Sequence, residues 1–308
     1  MDVRAYAPAT VANVAAGFDV LGFAVDAPGD EVTARLVGPP GVRITGVTGG
    51  DGSIPLDPTR NTAGVSVLRL LERTGSPAGI ELELRKNMPL GSGLGSSAAS
   101  AVAAVVAANE VLGRPFTRQE LLPFAMEAER VACGTGHADN VAPALLGGFV
   151  LVRSYQPLDV VRIPAPDELV CTLVHPHVEI RTEDARRILK TKITLRDAVV
   201  QWGNTAGLIA GLLTGDYALI GRSLTDVIVE PARSILIPCF HQAKEAALDS
   251  GGLGCSISGS GPSMFVLSRG REAAAAAGEA MAAVYRAAGI GCEVYLSGIN
   301  RQGTVLLG

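Results

Sequence analysis

Aromatic residues make up only 4% of the 308 residues and tryptophan occurs once, at Trp202, so the chain offers no row of rings for nucleic-acid bases to stack on. Charge of either sign is sparse: 26 Lys and Arg against 30 Asp and Glu leave a net −4, without the basic run that nucleic acid or an anionic membrane would require. The five cysteines, Cys133, Cys171, Cys239, Cys255 and Cys292, are odd in number and form no CxxC pair, which argues against a disulfide framework and leaves reduced, buried thiols as the expectation. His137, His175, His177 and His241 form no HExxH pair, so no zinc site is expected. No basic leader with an apolar centre opens the chain, and alanine runs such as Ala273 to Ala277 are too short to span a bilayer; a cytoplasmic protein is expected.

Several catalytic signatures are missing too. A Walker loop needs Lys after its last glycine, but Gly95 is followed by Ser96 and Ser97. The dinucleotide fingerprint needs a third glycine where Ser96 stands, and an acidic ribose partner at the end of a second strand, whereas Glu110 lies within a helix. Neither Gly-Ser-Gly-Leu-Gly nor Gly259-Ser260-Gly261 has the GxSxG spacing of a nucleophile elbow.

What is present is the run Pro89-Leu90-Gly91-Ser92-Gly93-Leu94-Gly95-Ser96-Ser97, between an alternating strand at Glu81 to Arg85 and a helix over Ala98 to Leu112 that stops at Gly113. Glycines let successive N–H groups turn toward one point, and a helix start near Ser97 adds roughly half a positive charge. This is an anion cradle of a third type, with a polyphosphate as its expected guest.

Elsewhere the patterns predict strands at Val32–Val37 and Val42–Val47, and a helix from Thr62 to Arg73. A further helix opens on a capping box of Thr117 and Glu120 and runs through Pro123, with a kink, to Val131, ending in Cys-Gly-Thr-Gly. A strand follows at Phe149 to Arg153. Ser154 to Leu158 reads as the link between two domains, 1–155 and 156–308. The second half reads as a strand at Glu168–Val174, helices from Thr182 to Leu189 and on to Leu224, a helix at Cys239–Leu248, a strand at Met264–Leu267, a helix at Glu272–Ala288 and a last strand at Cys292–Leu296. Strands and helices mix without a regular βαβ rhythm, which predicts α+β.

Two more small-residue runs need a reason. Gly251 to Pro262 lies between a helix and a strand, and so many glycines imply a close backbone approach, either to another strand or to the cradle's ligand from its far side. Near the start, Asn13 and Asp19 stand amid small residues and admit a turn-forming reading as well as a binding one.

Taken together, Pro89 to Ala99, Gly252 to Ser263 and Asn13 to Asp19 resemble the three ordered motifs of the GHMP small-molecule kinase superfamily. Within it, Ala-Asn-Val-Ala-Ala-Gly-Phe-Asp-Val-Leu-Gly, Gly-His-Ala-Asp-Asn-Val-Ala-Pro-Ala-Leu-Leu-Gly-Gly and Glu-Pro-Ala-Arg-Ser-Ile-Leu-Ile-Pro look like the homoserine kinase family. The resemblance implies an N-terminal half similar to ribosomal protein S5 domain 2, a ferredoxin-like C-terminal half, and ATP and substrate between them. It also implies phosphorylation of the side-chain hydroxyl of L-homoserine, on the route to threonine, by a homodimer.

The resemblance further implies roles. Backbone groups from Pro89 to Ala99 would hold the ATP phosphates, with Asn61 and Thr62 near adenine, and Ser97 and Glu129 on Mg²⁺; Glu127 is the solvated control. Asp19 with Asn13 would take the substrate ammonium and Arg186 and Arg233 its carboxylate, with His137 and Gly259 alongside, while Arg187 is solvated. Asn140 would orient the hydroxyl. Asp139 either accepts its proton or leaves the transfer without a base, which a loose transition state tolerates. Shikimate, mevalonate or diphosphocytidyl-methylerythritol as acceptor, or a silent sensor, are the competing readings; Asp19 favours an amino acid, and Ser97 with Glu129 favours catalysis.

Overall fold

The computed structural model describes residues 2–134 and 136–308, the side chains of Ala132 and Cys133 excepted; Thr135 of the Cys-Gly-Thr-Gly turn and the Cys133 thiol thus lie outside the described residues. In chain order the first half comprises β1 (Asp2–Ala12), β2 (Leu21–Val37), β3 (Gly41–Thr48), α1 (Thr62–Thr74), β4 (Gly79–Arg85), α2 (Ser96–Val111), α3 (Leu122–Cys133), α4 (Ala138–Leu146), β5 (Phe149–Tyr155) and β6 (Leu158–Ile163). The second comprises β7 (Leu169–Pro176), α5 (Thr182–Arg187), α6 (Leu195–Thr214), α7 (Tyr217–Ser223), α8 (Glu230–Arg233), α9 (Phe240–Asp249), β8 (Gly252–Ile257), β9 (Met264–Arg269), α10 (Arg271–Ala287), β10 (Cys292–Gly298) and β11 (Val305–Leu307).

Small side chains explain the first layer. Ala98 to Asn109 of α2 are all buried, because a helix apolar around its whole circumference must be enclosed, and alanine lets β1 and β2 approach it closely. The seven-stranded sheet beneath runs β11-β1-β2-β4-β3, with β5 bonded to β2 and β6 to β5. β3 and β4 pair in parallel and the remaining described pairs are antiparallel. The smaller sheet, β10-β7-β9-β8, is antiparallel and carries α9 and α10. Its sequence order β7, α9, β8, β9, α10, β10 is the ferredoxin-like βαββαβ arrangement. The observed class is therefore α+β.

The structure adds to and departs from the expected pattern. The start of the chain, to which the sequence patterns assign no element, is a central strand: Ala5, Ala7, Ala9 and Val11 are fully buried in β1, with small side chains where Val or Ile would have signalled a strand. Pro123 opens α3 at its first turn after a 3₁₀ turn at Gln119–Leu121, so no kink interrupts the helix. The first half of the second glycine run is itself strand β8, and β11 follows the expected last strand, returning to pair with β1. The division expected at 155/156 falls inside a hairpin: β6 turns back on β5 in the same sheet, so the chain leaves that sheet only after Ile163.

The candidate active site

The phosphate loop is held from three sides. Thr10 N–H donates to Leu94 O at 3.0 Å, Ser263 N–H to Ser92 O at 3.2 Å, and the Ser258 hydroxyl to Gly93 O at 2.8 Å. The second glycine run thus approaches the loop itself. A Cβ on Gly93 would stand 2.4 Å from Ser258 O, and Gly93 adopts φ +78°, so both space and backbone require glycine there. Gly95, φ +72°, caps α2 without a side chain, and the first turn of α2 holds no acidic residue. Ala99 N–H makes the first helical bond, to Gly95 O, so the amides just ahead of it remain open to an anion.

Behind the loop sits a network the sequence reading missed. Lys86 donates to Asp30, to Ser96 O at 2.9 Å and to Ser100 Oγ, while Asp30 also accepts from Ser96 Oγ at 2.8 Å and Asn87 N–H at 2.8 Å. Burial holds Lys86 below the usual lysine range, opposed by the Asp30 charge. Its signal was strand parity: Leu82 and Leu84 point inward, and Lys86 continues that face.

A cavity of about 310 Å³ runs from Ile54 and Thr62 past the loop to Asp19, Arg186 and Arg233. Asn61, Leu90, Gly91, Ser92, Gly93, Gly95, Ser96, Ser97, Ala98, Glu129, Asn13, His137, Asp139, Asn140 and Gly259 all line it as well. Pro89 lines an adjoining depression instead, and Leu94 and Ala99 are core residues that present no side chain to the cavity. Asn61 also caps α1, accepting from Ala63 N–H at 2.9 Å and donating to Pro55 O at 2.9 Å, so its amide is committed to the fold.

Glu129 lies on the buried side of α3, whereas Glu127 pairs with Arg130 at the surface. Burial pushes the Glu129 carboxyl up to about 7, with the Ser97 hydroxyl and Lys86 drawing it back. Its Oε1 is buried without a hydrogen-bond partner among the described residues. A buried carboxylate oxygen left over beside a hydroxyl is a donor set that suits a hard divalent cation completing its shell with phosphate and water.

At the far end Asp19 and Arg186 form a forked pair, Nη2–Oδ1 2.9 Å and Nη1–Oδ2 3.3 Å, rather than facing separate charges. Arg233 is 3% exposed and has no carboxylate in salt-bridge range among the described residues. Its Nε and Nη1 donate to Ala185 O and Gly259 O, each at 3.0 Å, and burial, then Arg186, lowers it to about 10, still charged at neutral pH. Phe18, unassigned in the sequence, has Arg233 and Arg186 over its ring at 5.2 and 5.5 Å. Arg187 pairs with Asp184 at the surface.

The intervening loop is strained. Asn13, Val14, Ala15 and Asp19 all take positive φ, held because Asn13 Nδ2 donates to Gly259 O at 2.7 Å and its Oδ1 accepts from Asp19 N–H at 3.1 Å. Asn13 therefore has a turn-forming part as well as an edge on the cavity. The Tyr155 hydroxyl, also unassigned before, donates to Asp19 O at 2.8 Å and accepts from Ala138 N–H at 3.2 Å. Asp139 is 2% exposed, and burial, then Asp19, raises its carboxyl to about 7. His137 Nδ1 lies 3.5 Å from Asp19, and burial keeps the imidazole below its usual range.

Cys171 and Cys255 are buried thiols, as expected, while Cys239 and Cys292 are half-buried. No described helix is long and apolar enough to cross a membrane.

Residues 61–148 match the family model for the GHMP kinases N terminal domain and residues 208–287 that for GHMP kinases C terminal. The homoserine kinase of Chlorobium phaeovibrioides is 55% identical, covering 99% of both chains, and that of Chlorobium phaeobacteroides strain BS1 is 53% identical over the same shares. The crystal structure of homoserine kinase from Cytophaga hutchinsonii superposes with a TM-score of 0.97 at 60% identity, over 99% of this chain and 97% of that one.

Proposed function

The chain belongs to the homoserine kinase family of the GHMP kinases, and we propose that its cavity carries out ATP-dependent phosphorylation of the side-chain hydroxyl of L-homoserine, giving O-phospho-L-homoserine and ADP for threonine synthesis. One observation carries the reading: a single cavity joins an amide cradle fit for a polyphosphate to an acid and two guanidinium groups fit for a zwitterion.

Amides from Gly91 to Ala98 hold the triphosphate, with the adenine beside Thr62 and the Asn61 cap. Ser97 and Glu129 would hold Mg²⁺, which supplies neutralisation of phosphate charge; the Glu129 Oε1, without a hydrogen-bond partner among the described residues, supports that fit. Homoserine exchanges its own charges for the Asp19–Arg186 pair: its ammonium takes Asp19, and its carboxylate takes Arg186 and Arg233, which has no carboxylate in salt-bridge range among the described residues. Asn13, His137 and Gly259 close the pocket. Asn140 orients the hydroxyl, and Asp139, near neutrality, is poised to take its proton late in a loose transfer. The residues before β6 supply most of the nucleotide site, and those after it supply the two arginines.

We place the enzyme in the cytoplasm as a homodimer, symmetric pairs being the commonest oligomers. The exposed apolar face of α6, with Leu195, Val199 and Trp202, supports an association, which light scattering would test. The activity itself is tested by ADP release with Mg–ATP and L-homoserine, L-threonine, shikimate or mevalonate. Preference for homoserine is expected; equal turnover of the carboxylates that lack an amine would overturn the reading.

A further inference from the structure

Thr10 is fully buried where three parts of the site meet. Its amide ties β1 to Leu94 at the end of the phosphate loop. Its hydroxyl lies 2.8 Å from Asn140 Oδ1 on α4. Gly95 closes over this contact, where a Cβ would stand 2.1 Å from Thr10 Oγ1 and 3.0 Å from Asn140 Oδ1. The hydroxyl and the amide are thus packed against the backbone that holds phosphate.

In the observed orientation the Thr10 hydroxyl donates to Asn140 Oδ1 and anchors that end of the amide. With Oδ1 turned to Thr10, Nδ2 is the end left for the cavity, where the oxygens of the acceptor hydroxyl and the phosphoryl group are rich in electrons. Were the amide reversed, its oxygen would face those oxygens and repel them. Valine in place of Thr10 would remove the anchor, because its methyl bonds to neither end.

We propose that Thr10 is a positioning residue for phosphoryl transfer: its hydroxyl anchors the Asn140 amide through Oδ1, leaving Nδ2 to donate toward the reacting oxygens. The inference rests on the role given to Asn140 above. It separates donation by Asn140 from proton acceptance, which falls to Asp139 or to no side chain.

The test compares Thr10→Val, Thr10→Ser, Asn140→Ala and the double variant Thr10→Val/Asn140→Ala in steady-state ADP release. A neutral hydrogen bond is worth a factor of about 2 to 12, so Thr10→Val is expected to lower kcat within that range, with the ATP KM within about twofold of wild type. Thr10→Ser keeps the hydroxyl and is expected to keep at least about half of kcat. Two groups acting as one unit are not additive, so the double variant is expected to be no slower than Asn140→Ala. If Thr10→Val does not fold, Thr10→Ala carries the same expectation without a branched side chain.

Wild-type kcat in Thr10→Val, or an additive double variant, overturns the proposal, as does a Thr10→Ser variant as slow as Thr10→Val. The failures are distinguishable: a slow Asn140→Ala with a fast Thr10→Val removes Thr10 alone, whereas Asn140→Ala at full kcat removes the role of Asn140 and Thr10 with it.

Discussion

Replacing Arg233 by alanine removes a 3% exposed guanidinium that faces no carboxylate among the described residues. The protein's own losses are small, because the donors to Ala185 O and Gly259 O can be replaced by water entering the vacated space, and Gly259 O keeps its bond from Asn13. The substrate's loss is larger. A hydrogen bond to a charged group contributes about 1.5–3 kcal/mol, which at about 1.4 kcal/mol per tenfold raises the homoserine KM roughly 10- to 150-fold. The KM for ATP, whose phosphates lie on the other arm of the cavity, is expected to stay within about twofold. The assay pairs the variant with 2-amino-1,4-butanediol, which is homoserine with its carboxylate reduced to an alcohol. Wild type is expected to lose most of its preference on that change, and Arg233→Ala to lose little more, because the partner of the carboxylate is already gone. An unchanged homoserine KM, or penalties that multiply in full, would refute the placement of Arg233 on the carboxylate.

The Glu129→Gln variant is expected to lower kcat about 10²- to 10³-fold, and to lose the rise in melting temperature that Mg–ATP gives the wild type; retention of that rise would remove Glu129 from the cation. Asp139 titrates near 7 because burial favours its neutral form. If it takes the proton, kcat is expected to climb through that pH, and Asp139→Asn to lose this limb together with about 10²- to 10⁴-fold of rate; an unchanged profile would show transfer without a base. A carboxyl raised from 3.8 to about 7 costs stability increasingly as pH climbs between those values, so Asp139→Asn is expected to melt higher than wild type above pH 7 and no higher below pH 4. Gly93→Ala forces a left-handed alanine, at about 1–2 kcal/mol, onto a carbonyl 2.4 Å away. Its ATP KM is expected to rise at least about tenfold, and a normal ATP KM with normal melting would show that the loop tolerates a side chain.

Local rules gave the helices at Thr62–Thr74 and Ser96–Val111 to within a few residues, since α1 opens on the Asn61 cap and α2 is almost wholly alanine and other small or apolar residues. β1 escaped because alanine, proline and threonine on a strand enclosed by α2 carry none of the bulky alternation that marks a half-buried sheet. The hairpin at 156–157 read as a domain link because turn chemistry is the same for both, and only the pairing of β6 with β5 distinguishes them. In the site, the glycine loop was legible because its chemistry is local. Lys86 and Asp30, Tyr155 and Thr10 were not, because each acts on a residue far away in sequence, as Tyr155 does on Asp19 and Thr10 on Asn140. Asp19 and Arg186 were both found, yet their bond to one another depends on tertiary placement.

A crystal structure of the protein with Mg²⁺, a non-hydrolysable ATP analogue and L-homoserine tests most directly whether both ligands share the cavity. The triphosphate is expected against the amides of Gly91 to Ala98, and the Asp19–Arg186 pair is expected to part, Asp19 turning to the ammonium and Arg186 with Arg233 to the carboxylate. A nucleotide away from the loop, or homoserine bound while Asp19 and Arg186 remain joined, would contradict it.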